Sequence, residues 1–510
     1  MISPVPSHPL LYEINTRCWL RELSERLKQP ITLANVPDSE FAQWQKLGFT
    51  HIWLMGVWTT GPRSRAQALN HAGLRRDYNQ VLPGWTDADV GGSPYSIAAY
   101  EVPASLGGET GLKQFRQRLQ AQGMKLLLDF VPNHLGLDHP WITERPELFV
   151  QRSEPIPDSF QQQTKLGTRW FAHGKDPYFP GWTDTVQLDY RVPATRTTMT
   201  ELLGTIADRC DGVRCDMAML VLEDVFAKTW QHIPPASNPP LSIGLGEGSG
   251  VRADFWSNAI PTIKKSHPDF LFLAEAYWGL EGRLQSLGFD YTYDKALYDK
   301  IVARDSASLH LTYSSPQFVD ASAHFLENHD EPRIATILSL PEHRAAALLI
   351  LGSPGMRFLH EGQLTGARVK IPVQLLRRPK EPIQPDVQSL YEKTLTAIRD
   401  GLVGNGVAKL LVPRVAWPGN PTERDFLLVQ WTSASNPTSF DLVAINLASH
   451  PSQCYAPLQI PNLSAHTWLL KDLLGTEVYE RPGEDLEKRG LYLDLPAHGA
   501  QLFRFRTASE

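Results

Sequence analysis

The chain has 510 residues, 42% of them apolar and 20% charged, the proportions of an ordinary soluble globular protein and too many residues for one compact core. A net charge of −6 with no basic block argues against a nucleic-acid or anionic-membrane partner, and no apolar run approaches the about 20 residues of a membrane span. Four scattered cysteines (Cys18, Cys210, Cys215, Cys454) read as reduced core thiols in the cytoplasm rather than as a disulfide framework or a zinc site. The segment Met1–His8 has neither a basic nor an apolar region, so no secretory signal is expected there.

In chain order, Leu11–Asn15 reads as a short strand, Phe41–Gly48 as a helix with a glycine stop, and His51–Val57 as a near-continuous apolar strand of the kind buried on both faces. A long polar loop follows, then a helix over Leu112–Gln122 ended by Gly123, and a third strand over Lys125–Val131. Strand and helix alternating at this spacing mean βα units and a parallel sheet. From His134 to about Tyr190 the alternation lapses into a Pro- and Trp-rich irregular stretch, read as an inserted small domain. The pattern resumes with a helix around Thr195–Ala207, a strand over Asp211–Asp216 and a helix near Leu222–Thr229. A Pro-, Gly- and Ser-rich loop (Ile233 to Gly250), a helix near Phe255–Lys265 and strands over Phe270–Glu275, Ser322–Asp330 and Gly355–Glu361 complete it. Beyond a helix near Val387–Arg399 the texture changes to short alternating strands, such as Phe426–Trp431, Phe440–Ile445 and Leu491–Leu495, an antiparallel module of about 100 residues. The expected fold is an α/β (β/α)8 TIM barrel, with eight strands as its natural count. It carries a small insert after strand 3 and a C-terminal antiparallel β-sandwich. The barrel would take residues 1–134 and 191–402, the insert 135–190 and the sandwich 403–510.

Catalytic groups of such a barrel sit at the C-terminal ends of its strands. Those ends here carry Asp129 with Asn133 and His134, then Arg214 and Asp216, then Glu275, then His329 and Asp330. Arg214 and Asp216 are two residues apart and share a strand face, so the guanidinium is expected to hold Asp216 ionised. Alone, that pair would serve equally as an ordinary ion pair at a strand end. Four carboxylates, an arginine and two histidines converging on one mouth is a different matter. The 14 tryptophans and 15 tyrosines add flat faces that suit sugar rings, although large cores use aromatics as well.

Four ordered motifs, Asp129-Phe-Val-Pro-Asn-His134, Gly212-Val-Arg-Cys-Asp216, Leu273-Ala-Glu275 and Phe325-Leu-Glu-Asn-His-Asp330, make the chain resemble the alpha-amylase superfamily of glycoside hydrolases over nearly its whole length. The resemblance implies a retaining α-glucoside hydrolase with Asp216 as nucleophile, Glu275 as general acid/base and Asp330 as transition-state stabiliser. It implies that His134 and His329 bind sugar hydroxyls, that Tyr95 in Gly92-Ser-Pro-Tyr95 stacks beneath the reacting ring, and that Asp129 and Arg214 belong to the same substrate-binding set. Asn133 matches a residue that in many relatives helps bind a structural calcium, which Asp176, Asp184 and Asp189 could join. No cofactor is otherwise required, and the expected partner is a small carbohydrate.

The sequence departs from the family's pattern in three places. A Lys-His pair that often follows the nucleophile is replaced by Met219 and Leu220, which points to a short or non-sugar aglycone. The tyrosine motif continues as Ala99-Tyr100 rather than Asp-Tyr, and the last strand ends Leu359-His-Glu-Gly-Gln363. A glucosyl transferase or phosphorylase would use the same residues, because the covalent intermediate is shared. An inactive binding scaffold is disfavoured by the retention of all three carboxylates. The substrate itself and the oligomeric state are not legible.

Overall fold

In a computed structural model of the chain, which describes residues 8–234, 254–306, 308–309, 313, 315–433, 435 and 439–508, eight parallel strands close into a barrel. They are β1 (Leu10–Asn15), β2 (His51–Met55), β3 (Lys125–Phe130), β4 (Gly212–Cys215), β5 (Leu271–Ala274), β6 (Tyr291–Tyr293), β7 (Ser322–His324) and β8 (Met356–His360). Each pairs with its neighbour in sequence order, and β1 closes the ring by pairing with both β2 and β8. The strands are buried on both faces, which is why His51-Ile-Trp-Leu-Met55 reads as an unbroken apolar run. Leu11, Trp53, Leu127, Leu273, Phe325 and Phe358 fill the lumen with a packed core, so the polar groups collect at one mouth.

The outer helices follow from spacing. In α1 (Gly108–Ala121) the buried Leu112, Phe115 and Leu119 recur at three- and four-residue intervals and form one face against the barrel. Helix α2 (Leu340–Gly352) is apolar almost all round, because it is covered twice. Its N-terminus is fixed by a capping box between Ser339 and Glu342. One side packs on the barrel; on the other, Val443 lies against Gly352 and the Trp431 indole donates to the Gly352 carbonyl at 2.9 Å. Those two residues belong to a six-stranded antiparallel sheet that includes Phe426–Thr432 and Ser439–Asn446. A three-stranded antiparallel sheet completes the C-terminal sandwich, with a core of its own around Phe440, Trp468 and Phe505.

Four expectations need correction. The long polar loop after β2 holds two helices, Pro62–Asn70 and Ala72–Val81, whose few buried residues leave a weak apolar period. The irregular stretch after β3 contains a three-stranded antiparallel sheet (Gln151–Arg152, Ser159–Thr164, Gly167–Ala172) in which glutamines mask the alternation. The strand expected over Ser322–Asp330 ends at His324, and the rest is a loop, buried from Phe325 to His329 and exposed at Asp330. The eighth strand, β6, is only three residues long and lay below the length at which a run is readable. The readings made on Met1–His8 and on Ile233–Gly250 fall largely outside the described residues. Among the described residues, no helix is long and apolar enough to cross a membrane.

Candidate active site

Arg214 is the hub of the mouth. It lies in register with Asp129 on β3 and Leu273 on β5, fully buried beneath Trp53, Tyr95 and Tyr293, whose ring centres lie 5.2 to 5.6 Å from its guanidinium. One terminal nitrogen donates to Asp216 Oδ1 at 2.6 Å. The other stands 2.7 Å from Glu275 Oε2, a close ion pair without an aligned hydrogen bond. The Nε donates to the Tyr293 hydroxyl at 3.2 Å. One cation therefore holds two carboxylates, each a single residue beyond the paired Cys215 and Ala274 at the ends of β4 and β5.

The two carboxylates differ in environment. Glu275 accepts from the Met217 backbone N–H at 2.7 Å and from the Tyr277 hydroxyl at 2.8 Å. Burial pushes it up to about 7 even though Arg214 opposes the shift. Asp216 was expected to sit low beside Arg214. It does not: burial outweighs the guanidinium and, together with the Asp330 and Asp129 charges, leaves its carboxyl above the ordinary carboxylate range. Asp129 accepts from the Trp53 indole at 3.0 Å and the Gly56 N–H at 2.8 Å, and burial raises it to about 6.

Asp330 reaches into the mouth from the loop after β7, half exposed, with Oδ2 3.0 Å from His329 Nε2. The same nitrogen lies 2.7 Å from the Tyr95 hydroxyl, and the two rings stack at 5.4 Å between centres. Behind His329, its Nδ1 contacts Glu13 on β1. Burial would lower the imidazole pKa, but the Asp330 and Glu13 charges reverse that and raise it well above its usual value. Enclosure would likewise raise Asp330, and the His329, Arg214 and Lys370 charges instead hold it below the ordinary range. Glu13 was missed from sequence. A lone acid in Leu11-Tyr-Glu-Ile-Asn15 gives no signal until β1 and the β7 loop are known to meet. Lys370, whose ammonium donates to the Asp330 carbonyl from the loop after β8, was missed for the same reason.

His134 is buried at the start of the insert, its ring 5.2 Å from Trp182, and burial lowers it to about 4. Met219 and Leu220 are fully buried in a short 3₁₀ turn, so neither side chain is available to a ligand. Tyr100 is also buried, its hydroxyl bonded to the Val131 backbone. At the end of β8, Glu361 is built into the fold, accepting from the Asn15 N–H at 2.8 Å and pairing with Arg378 at 2.9 Å.

The calcium candidates are not gathered into a cage. The Gln187 side-chain amide donates to the Asn133 carbonyl at 2.9 Å, to Asn133 Oδ1 at 3.0 Å and to the Leu188 carbonyl at 3.0 Å. A hydrogen-bond donor thus stands among the oxygens that a cation would need. Asp189 is forked by Arg191, Asp184 accepts from Ser64, and Asp176 caps the backbone of Tyr178 and Phe179. Among the described residues, no group of three or more His, Cys, Asp or Glu is arranged to hold a metal. As arranged, these residues do not fit a calcium ion.

The family described as "Alpha amylase, catalytic domain" matches residues 41–390, more than half of the chain. The chain belongs to the alpha-amylase family. Among curated alpha-amylase relatives, Alpha-amylase 3 of Dictyoglomus thermophilum is 22% identical over 330 residues, 61% of this chain and 60% of that protein. The alpha-1,4-glucan:maltose-1-phosphate maltosyltransferase of Myxococcus xanthus is 24% identical over 254 residues, 48% of this chain and 30% of its own length. The chain thus spans about three fifths or less of these relatives. The alpha-amylase of Geobacillus thermoleovorans, solved with acarbose, shares the fold at a TM-score of 0.64 and 17% identity, over 99% of this chain and all of that one.

Proposed function

We propose that this alpha-amylase family member is a retaining α-glucoside hydrolase that works through a covalent glycosyl-enzyme. The observation that carries the reading is the single guanidinium shared by Asp216 and Glu275. With Asp216 2.6 Å and Glu275 2.7 Å from the two terminal nitrogens of that one guanidinium, the two carboxyl groups face each other across the mouth, the close arrangement on which a retaining mechanism depends.

Glu275, raised to about 7, supplies a proton to the departing glycosidic oxygen. Asp216 attacks the anomeric carbon as that bond breaks, with Arg214 stabilising its ionised form. Glu275, now a carboxylate, then takes a proton from water, whose oxygen attacks the anomeric carbon and releases Asp216. Asp330 grips hydroxyls of the reacting ring, held ionised by His329. Tyr95 lies beneath that ring, and Asp129 and His134 complete the substrate-binding wall. The buried Met219 and Leu220 support a short oligosaccharide or small glucoside as substrate. A second reading, glucosyl transfer to a sugar or to phosphate, is favoured by the maltosyltransferase among the relatives and needs no different residue. The four cysteines are buried and unpaired, which supports a cytoplasmic setting.

The test is a panel of soluble starch, maltotriose, sucrose, trehalose and glucosylglycerol, each with and without phosphate, with product configuration followed by NMR. First-formed α-configured sugar, abolished in Asp216→Asn, supports the proposal. Turnover only with phosphate moves the protein to the phosphorylase class. First-formed β-configured sugar overturns the mechanism.

A further inference from the structure

On the outside of the barrel lies a cavity of about 700 Å³ that the chemistry at the mouth does not use. Its floor is the outer face of β1, where Tyr12 and Ile14 alternate with the lumen-facing Leu11. Helices Thr16–Leu27 and Asp38–Lys46 form two of its sides, and the segment 361–381 after β8 forms a third. A cavity of this size has room for a small organic molecule.

Two hydrogen-bond donors in its wall are left over by the fold. Among the described residues, neither the Tyr12 hydroxyl nor the Trp44 indole N–H has a hydrogen-bond partner. Trp44 is only 5% exposed, and buried donors are ordinarily paired. The neighbouring Trp19 shows the ordinary case, since its indole donates to Glu40 at 3.3 Å. The charges in the wall are already matched, in contrast to these donors. Arg378 pairs with Glu22 and Glu361, Arg26 with Glu40, and Arg21 with Glu25. Among the described residues, Lys380 is the one lining cation without an ion pair, and it is exposed to water. A phosphate or carboxylate would therefore find one screened lysine and guanidiniums that are already occupied. Trp19, Leu23 and Leu364 supply apolar surface between the polar groups. Apolar faces, spare donors and carboxylates able to accept match the CH faces and hydroxyls of an uncharged polyhydroxylated molecule.

We infer that this cavity is a second binding site, outside the barrel, for a small neutral sugar or polyol. Tyr12 and Trp44 donate to its oxygens, the lining carboxylates accept from its hydroxyls, and its CH faces lie against Trp19 and Leu364. Trp19 and Trp44 are 7% and 5% exposed, so the ligand enters a cavity rather than lying on an open aromatic surface. The site takes one small molecule, not a polymer chain. No bond is broken there, and the inference does not rest on the hydrolase reading.

The test combines hydrogen–deuterium exchange with calorimetric titration of the full chain, using glucose, maltose, glycerol and glucose 6-phosphate. Maltose is added to Asp216→Asn protein, so that turnover does not consume it. Glucose or maltose (for a sugar site) or glycerol (for a polyol site) should slow exchange in the helices Thr16–Leu27 and Asp38–Lys46. Tyr12→Phe and Trp44→Phe each remove one donor and keep an aromatic ring. Each should weaken that binding about three- to tenfold, as the loss of one hydrogen bond does, and leave the ligand-free unfolding midpoint within about two degrees. Slowed exchange confined to the barrel mouth, or equal affinity in both variants, overturns the site. No effect from any of the neutral ligands overturns it too. Binding of glucose 6-phosphate in these helices without binding of glucose overturns the assignment of an uncharged ligand.

Discussion

Glu275 and its two hydrogen-bond donors set the pH behaviour. The Tyr277 hydroxyl stabilises the carboxylate form, so Tyr277→Phe should raise the Glu275 pKa further above about 7. The alkaline limb of kcat/KM then moves to higher pH by about half a unit to one unit. A limb that stays put, or moves down, would separate Tyr277 from the acid. Glu13 acts one shell further out. Replacing it with Gln leaves His329 without its rear anion, so the imidazolium titrates at lower pH. Asp330 then loses its cationic partner as pH rises. The Glu13→Gln enzyme should lose about 10- to 100-fold in kcat at neutral pH and recover part of it on acidification, in a pH profile with a limb the wild type lacks. An unchanged profile would reduce Glu13 to packing. That Asp216 and Glu275 meet at the mouth was legible from sequence because motif and strand end coincide there, whereas Asp330, in the loop beyond the end of β7 at His324, was placed by its motif alone. The Asp216 pKa direction was not legible, because it depends on how deeply the pair is buried, and a two-residue spacing does not encode depth.

At the scale of the element, β4 and β5 have to approach closely enough for Arg214 to span both carboxylates. Gly212 permits this. A Cβ there would stand 2.7 Å from the Leu271 carbonyl oxygen and 2.9 Å from the Leu271 side chain. Gly212→Ala should force the strands apart, costing about 1–3 kcal/mol of stability and lowering kcat more than it raises KM. Thermal unfolding and steady-state kinetics on the same preparation check both, and a variant with wild-type kcat would show that strand spacing does not limit the chemistry. Strands β2 and β3, five and six residues long and mostly apolar, were readable from sequence. The three-residue β6 was not, since pairing on both sides rather than its own pattern makes it a strand. The insert hid its small sheet for a related reason. Ser159-Phe-Gln-Gln-Gln-Thr164 has one aromatic to mark a buried face, and only its pairing with Gly167–Ala172 defines it.

For the whole molecule, the joint between barrel and insert decides how the mouth keeps its shape. Gln187 bonds the strand that pairs with His134–Gly136 back to Asn133, using an amide where a cation would otherwise be needed. The midpoint of thermal unfolding should therefore be unchanged, within about one degree, by EDTA or added calcium, and Gln187→Ala should lower it by several degrees. A clear loss of stability in EDTA would contradict that arrangement. Sequence reading found Asn133 but not its partner, because the glutamine lies 54 positions away and carries no charge to attract notice. The covered helix α2 likewise looks, from sequence, like any apolar helix. Its position between barrel and sandwich explains why apolar residues run almost all round it instead of along one stripe.

The most direct test of the central claim is mass spectrometry of the enzyme after reaction with a 5-fluoro-glucosyl fluoride, which slows release of a covalent sugar. The account predicts one fluoroglucosyl adduct per chain, located by peptide mapping on Asp216 and absent from Asp216→Asn. An adduct on another residue, or turnover of natural substrate with no adduct at all, would contradict it.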